Sequence, residues 1–363
     1  MNVFAGNNLR LIRLFHDKSL TELGESVGVS KQYLSRVENG AEAVTPAMEA
    51  ALAEHLGVLP EFFRYVDPHP IVDEQCHFRR QLTTKLSLRH VARARGEMLK
   101  RMVGVIDEHI ELPAYRVAEA DPATSETIER GAEQFRVLFG LGWGPLSNLA
   151  RIAENAGAVV MRLRGLAPEI DAISFATRRP LIALNAQDRS LCRERFGIAH
   201  ELGHFALHIS VMTGDRLTEG QANRFASSLL LPRSTFASEY KLALRGRGLS
   251  WAGMSELKLR WGVSKAALLY RGHQLGFFSD EQLRTGFSYL NRHGEATSER
   301  EDAAMPREEP EVVGDSLHVM REQLGIPVAT VAREMRVSLS LLTDLLGIQL
   351  PAAPRVVPFA RRA

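Results

Sequence analysis

One run of residues sets the terms for everything around it: Arg195-Phe196-Gly197-Ile198-Ala199-His200-Glu201-Leu202-Gly203-His204. Histidines four apart on a helix stand on one face, one turn apart, so both imidazoles can reach a single point. Glu201 lies beside them, placed to hold a water as general base. The surrounding residues Phe196, Ile198, Ala199, Leu202, Phe205 and Leu207 are apolar, so the polar trio faces a core or a cleft. Buried imidazoles and a carboxylate need partners, and a divalent metal ion provides one. The spacing is that of a zinc site in which two histidines ligate and the glutamate moves protons.

A catalytic zinc site usually takes three protein ligands and keeps one position open. Glu219 is the expected third ligand. It opens Glu219-Gly220-Gln221-Ala222-Asn223-Arg224-Phe225-Ala226, a helix whose small Ala222 and Ala226 permit close packing on the metal helix. Asn223, one turn on, is placed to hold a ligating imidazole from behind. Two alternatives stay open here: Asp215 as the third ligand, and Glu219 as a mere helix-start carboxylate favoured by the dipole. His208 continues the histidine series but would sit about 6 Å further along the axis than His204. It is expected to line the cleft or be exposed.

The blocks RFGIAHELGHFALH, EGQANRFASSLLLP and WGVSKAALLYRGHQLGFF follow one another in order, and they closely resemble the ImmA/IrrE-type metallopeptidase family. That resemblance implies a compact gluzincin-like fold, zinc on His200, His204 and Glu219, and catalysis by Glu201. It also implies a protein substrate, because members of the family cleave, or promote loss of, DNA-binding repressors and so derepress genes of mobile elements or stress responses. Tyr240, Tyr270 and His273 follow the metal helices and are candidates for stabilising an oxyanion.

The beginning of the chain carries a different signal. Ser19 can cap one helix containing Leu20, Leu23 and Val27; Gly28 supplies a turn; Ser30 caps a second with Tyr33, Leu34 and Val37 on one face, closed by Asn39-Gly40. Thr45-Pro46 then starts another helix. The segment Leu20–Gly40 resembles an XRE-type helix-turn-helix, which implies binding to double-stranded DNA. Ser30, Lys31, Gln32, Ser35, Arg36 and Asn39 would meet bases or phosphates in the major groove.

At 363 residues the chain is too long for a single hydrophobic core, and its net charge of +2 is too small to name a partner. Cys76 and Cys192 are too few for a disulfide scaffold, fit a reducing cytoplasm, and are expected as small buried residues. No stretch approaches the ~20 apolar residues of a membrane span, so no membrane partner is expected. The fold class read from these patterns is α+β, mostly α. Residues 1–66 form a helix-turn-helix bundle and 67–125 a helical connector. A gluzincin-like metallopeptidase domain with a small sheet occupies 126–294, with strands around 158–163, 172–176 and 181–185. An acidic linker (295–315), a possible degenerate second helix-turn-helix (316–350) and a tail (351–363) complete the chain. The second unit is suggested by an ungapped echo: Leu9, Ile12, Arg13, Leu20, Leu23 and Leu34 recur as Leu317, Met320, Arg321, Val328, Val331 and Leu342, with Arg336 standing where Gly28 stands.

The basic stretch Arg79–Arg101, opposed only by Glu97, reads either as extra phosphate contacts or as a solvated helix face. Two functions compete. One is a cytoplasmic zinc endopeptidase, possibly a homodimer, that cleaves a helix-turn-helix repressor. The other is a DNA-binding regulator whose peptidase-like domain senses a ligand or metal and cuts nothing.

Overall fold

The computed structural model describes residues 4–78, 85–166, 170–187, 189–209 and 211–347. Arg79 and Arg80 of the basic stretch and the 351–363 tail lie outside the described residues. The fold is α+β and mostly helical, as the periodicities predict. The chain opens with α1 (Gly6–Phe15), α2 (Leu20–Val27), α3 (Lys31–Glu38) and α4 (Pro46–Leu56). A short strand β1 (Cys76–Phe78), a long helix α5 (Leu86–His109), α6 (Ser125–Leu138) and α7 (Leu149–Asn155) follow. Strands β2 (Val159–Leu163), β3 (Ala172–Phe175) and β4 (Leu181–Asn185) lead into α8 (Leu191–Leu207), α9 (Arg216–Leu230) and α10 (Arg233–Glu239). A small hairpin, β5 (Leu244–Arg245) and β6 (Gly248–Leu249), precedes α11 (Trp251–Trp261), α12 (Lys265–Gln274) and α13 (Asp280–Arg292). The chain ends on α14 (Val312–Leu324), α15 (Val328–Glu334) and α16 (Leu339–Leu346).

The sheet has the order β1-β3-β4-β2, with β2 parallel to β4 and the other pairs antiparallel. Side chains alternate across it, as pleating requires. Val159, Met161, Ile173, Phe175, Leu181 and Ala183 join a core with α5, the N-terminal bundle and α14–α16. Val160, Ala172, Ile182 and Leu184 join a second core with α6 to α9, α11 and α12. Gly96 on α5 is required by this packing, because a Cβ there would fall 2.2 Å from Cζ of Phe175. The sheet therefore separates the two cores, and α8 lies against one face of it.

The N-terminal bundle forms for the reasons read from its sequence. Ser19 and Glu22 make a reciprocal capping box, Gly28 takes the left-handed conformation at φ +73°, Ser30 caps α3, and Arg13 makes a buried two-pronged pair with Glu38 at 2.6 and 2.9 Å. The echo at the other end of the chain has matching backbone. α2 and α3 begin at Leu20 and Lys31, and α15 and α16 begin at the echo positions Val328 and Leu339. Arg336 holds φ +59° where Gly28 holds +73°, and Gly325 holds +67° where Asp17 holds +54°. An arginine in the left-handed region is unusual for an L side chain, so the backbone path persists where its natural residue has gone. The two units touch directly: Leu59 N–H donates to Arg336 O and Ser338 N–H to Gly57 O, both at 2.8 Å.

Two expectations change. The acidic stretch after Gly294 is no free tether. Glu295, Glu299 and Glu308 are buried; Glu299 pairs with Lys258 at 2.7 Å, Glu295 with Lys265 at 2.7 Å, and Glu308 with Arg195. The composition looked linker-like because its partners lie far back in the sequence. The basic stretch is equally occupied. Lys100 pairs with Asp67 and Glu97, Arg93 with Asp73, and Arg101 is buried over the rings of Phe62 and Tyr65. Arg101 thereby joins α5 to the bundle, and Lys100 and Arg93 are taken up by carboxylates of the connector and of α5 itself, while Lys85 stays exposed.

Candidate metal centre

Helix α8 is buried almost along its whole length, with His200, Glu201 and His204 all 0–1% exposed. Its neighbour α9 approaches closely because Gly203 faces Ala222 and the Cβ of Phe225; a Cβ at Gly203 would lie 3.2 Å from Ala222 O. That approach carries Glu219, in the first turn of α9, to 3.4 Å from His200 Nε2 and 3.3 Å from His204 Nε2. One donor atom each from His200, His204 and Glu219 falls within 4.8 Å of the others. Asp215, the alternative, is occupied as the N-cap of α9, accepting from Thr218 N–H at 2.8 Å.

The hydrogen bonds behind the rings fix which nitrogens face inward. His200 Nδ1 lies 3.0 Å from Asn223 Oδ1. An amide oxygen only accepts, so Nδ1 carries the proton and Nε2 of His200 presents a lone pair. His208 Nε2 lies 2.9 Å from Gln221 Oε1, so it too is the protonated nitrogen; His208 Nδ1 then accepts from His204 Nδ1 at 2.9 Å. His204 Nε2 is left with a lone pair as well. The two lone pairs face each other at 3.0 Å, beside a carboxylate.

Ionisation states agree. Burial, with the neighbouring imidazoles in support, pushes the pKa of His204 down to about 3, so the ring is neutral at physiological pH. Burial raises Glu219, and it is drawn down to about 2 only by donation from the two imidazoles; with both Nε2 lone pairs turned inward, a cation has to take over that role. Three electron-pair donors converging out of solvent repel one another unless a cation lies between them. Oxygen and nitrogen donors of this kind suit a divalent ion.

Several side chains around this group are not evident from sequence. Ser174 on β3, fully buried, donates its hydroxyl to Glu201 Oε2. His77 on β1 stacks on His204, ring centroids 4.8 Å apart and planes 6° apart, with Nδ1 2.7 Å from Thr213 Oγ1. His208 is 2% exposed and holds His204, which corrects its expected place in a cleft or in solvent. Its role had a readable signal, since it stands one turn beyond a ligand on the buried face. Ser174 and His77 had none, because they reach α8 only through the sheet. The oxyanion candidates lie elsewhere in their contacts: Tyr240 stacks on Phe277, Tyr270 packs at a tilt against Phe287 with half its surface exposed, and His273 pairs with Asp280.

Residues 153–273 match the family described as IrrE N-terminal-like domain, of the peptidase M78 group, and residues 5–62 match a helix-turn-helix domain. The chain joins an IrrE-like peptidase-family domain to a helix-turn-helix domain. No curated protein matches it. The first match spans the whole metal group, including Glu219 and Asn223, and the second spans α1 to α4.

In the helix-turn-helix domain α3 turns three residues inward, Leu34, Val37 and Glu38. Lys31, Gln32 and Arg36 are exposed, Arg36 resting on Glu42 at 2.9 Å. Ser30 and Asn39 are also exposed but engaged in capping: Ser30 Oγ accepts from Tyr33 N–H at 3.2 Å, and Asn39 Nδ2 donates to Ser35 O at 2.8 Å. Ser35, half-buried, lies between them. Cys76 and Cys192 are buried free thiols, pushed up to about 12 by burial, which removes them from nucleophilic chemistry. Among the described residues no helix is long and apolar enough to cross a membrane.

Proposed function

We propose that this chain is a zinc-dependent endopeptidase that binds double-stranded DNA through its helix-turn-helix domain and cleaves a helix-turn-helix transcriptional repressor, derepressing mobile-element or stress-response genes. The observation that carries the reading is the convergence of two imidazole lone pairs and the Glu219 carboxylate beside a buried Glu201. His200, His204 and Glu219 are the proposed ligands. A zinc ion held by them supplies a Lewis acid and a lowered water pKa. Asn223 and His208 fix the ring orientations. Glu201 is the proposed general base: it takes a proton from the attacking water and delivers it to the leaving amine, while the Ser174 hydroxyl holds its second oxygen in place. Lys31, Gln32, Ser35 and Arg36 on α3 are the proposed base and phosphate contacts, with Ser30 and Asn39 at the two ends of that helix. We take residues 1–66 as the helix-turn-helix unit and the peptidase-family unit as residues 126–294 together with strand β1, and the protein as cytoplasmic.

The second reading, a regulator that senses a ligand and cuts nothing, is favoured by one feature: His200, Glu201 and His204 are 0–1% exposed, and the group meets solvent at Glu219. Incubation of the zinc-loaded protein with candidate repressors, beside Glu201→Gln, separates the two. Cleavage by the wild type alone supports the peptidase. Intact repressors in both, with an operator fragment shifted by the wild type, support the regulator.

A further inference from the structure

Strand β1 belongs to the same sheet as the peptidase-family strands but comes from the chain between the helix-turn-helix domain and α5. It pairs antiparallel with β3 in the register Cys76↔Phe175, His77↔Ser174 and Phe78↔Ile173. Just before it, Ala176 N–H donates to Gln75 O at 2.8 Å and the Gln75 amide donates to Ala176 O at 3.2 Å. The opposite edge of β3 is taken by β4. The edge that β1 covers therefore belongs to the strand whose Ser174 holds Glu201.

An extended peptide docks most readily by adding a strand to a sheet edge, its backbone satisfying the unpaired N–H and C=O groups. To be cut, it must also bring its carbonyl within about 3–3.5 Å of the reacting groups. The outer edge of β3 meets the first condition and lies on the strand whose Ser174 holds Glu201, and the chain's own residues fill it. His77, opposite Ser174, lies flat on the ring of His204 and is clasped from the other side by Thr213 in the α8–α9 loop. With His77 in place, His200, Glu201 and His204 retain 0–1% exposure, and the group meets solvent at Glu219, whose side chain is 16% exposed.

We propose that β1 is an internal stand-in for the substrate: an extended segment of a protein substrate pairs with β3 in the slot that β1 occupies, and the site opens only when β1 leaves. This inference rests on the peptidase reading and supplies its regulation. The strand is only three residues long, but Cys76 and His77 are 0–1% exposed and Cys76 belongs to the core, so its release is a local opening of the fold. The segment is also continuous with the N-terminal bundle and is tied to α5 by Arg93–Asp73 at 2.6 Å and by Ile71 N–H to Glu97 at 3.0 Å. The strand that seals the site is thus also the covalent link to the helix-turn-helix domain.

The test uses the full chain, fluorescein-labelled casein as an unfolded polypeptide, and two variants. His77→Gly removes the ring stack and weakens the strand. Gln75→Ala releases the strand's anchor from outside the metal group. Cleavage is followed in the zinc-loaded protein, and binding by anisotropy in a Glu201→Gln background, where no cutting intervenes. The expected result is a gain on the order of tenfold in both readings for His77→Gly, as for loss of one stack and one side-chain hydrogen bond, and a smaller gain for Gln75→Ala. Tighter binding without cleavage keeps the role of β1 and sinks the peptidase reading. Equal binding by wild type and both variants, at unchanged zinc content and melting temperature, overturns the proposal. If His77→Gly loses zinc, Gln75→Ala alone decides by the same criterion.

Discussion

Helices α8 and α3 carry the two functional constellations in opposite ways. α8 turns its chemistry inward: all but two of its residues are buried, with Glu201 held from β3, His200 from α9 and His204 by His208 at the helix's own C-cap. α3 turns its chemistry outward, burying only Leu34, Val37 and Glu38 to fix the helix and leaving Lys31, Gln32 and Arg36 to solvent. An inward site depends on the fold for its protonation states and geometry, so it is sensitive to changes at a distance. An outward face depends on its own residues and on the frame beneath them. The C-terminal echo makes the second point directly. α16 repeats the frame of α3, yet Leu339, Ser340 and Asp344 stand where Lys31, Gln32 and Arg36 stand, and the unit serves the core instead.

The sharpest way to break this contrast is to remove the inward helix's proton carrier. Glu201→Gln should retain zinc and lose roughly 10²–10⁴-fold in repressor cleavage, read by gel alongside metal analysis. Retained cleavage would remove Glu201 from its role.

Acidification is next. His77, His204 and His208 all have pKa values lowered chiefly by burial, so they are neutral in the fold and protonate near 6.5 when unfolded. The stability contributed by keeping them neutral is complete above pH 6.5 and is lost as pH falls below it. Zinc-stripped protein should lose stability in urea unfolding as pH falls from 6.5 to 5, at a slope that rises towards about 1.4 kcal/mol per pH unit for a ring that stays neutral throughout, as His204 does. His77→Phe, which keeps a flat ring on His204, should remove one ring's share; an unchanged slope would place His77 in solvent.

The supporting hydrogen bonds come third. His208→Leu removes the acceptor that orients His204 and should weaken zinc about 10–100-fold in chelator competition, with the fold intact. No change would make His208 a packing residue only. The smallest effect belongs to α3. Lys31→Ala should lower the salt slope of binding to a mixed-sequence duplex by about 1, uniformly across sequences, whereas Asp344→Ala on α16 should leave it unchanged. An equal effect at both sites would erase the distinction between the two units.

Legibility follows the same division. α3, its caps and its outward residues were readable because the signals are local: Ser19, Gly28 and Ser30 punctuate a regular apolar pattern. His200 and His204 were readable as a pair because helical spacing places them on one face, whereas Glu219 was one of two candidates for the third position and Asn223 followed from it by one turn. Strands β2 to β4 stood out as apolar runs. The partners that turn α8 into a site were not. Ser174 looks like any small residue in a strand, and His77 lies on a three-residue strand with no apolar alternation of its own. The acidic stretch was misread for a related reason, since composition shows charge but not the buried Lys258, Lys265 and Arg195 that neutralise it. Asp17 and Arg336 show the converse, since backbone geometry endured where sequence gave no glycine to announce it.

The account stands on His200, His204 and Glu219 holding one divalent ion. Zinc titrated by calorimetry into the stripped full-length protein should reveal a single site per chain with a dissociation constant tighter than about 1 µM, lost in both His204→Ala and Glu219→Gln. Absence of saturable binding, or binding unchanged in those two variants, would contradict it.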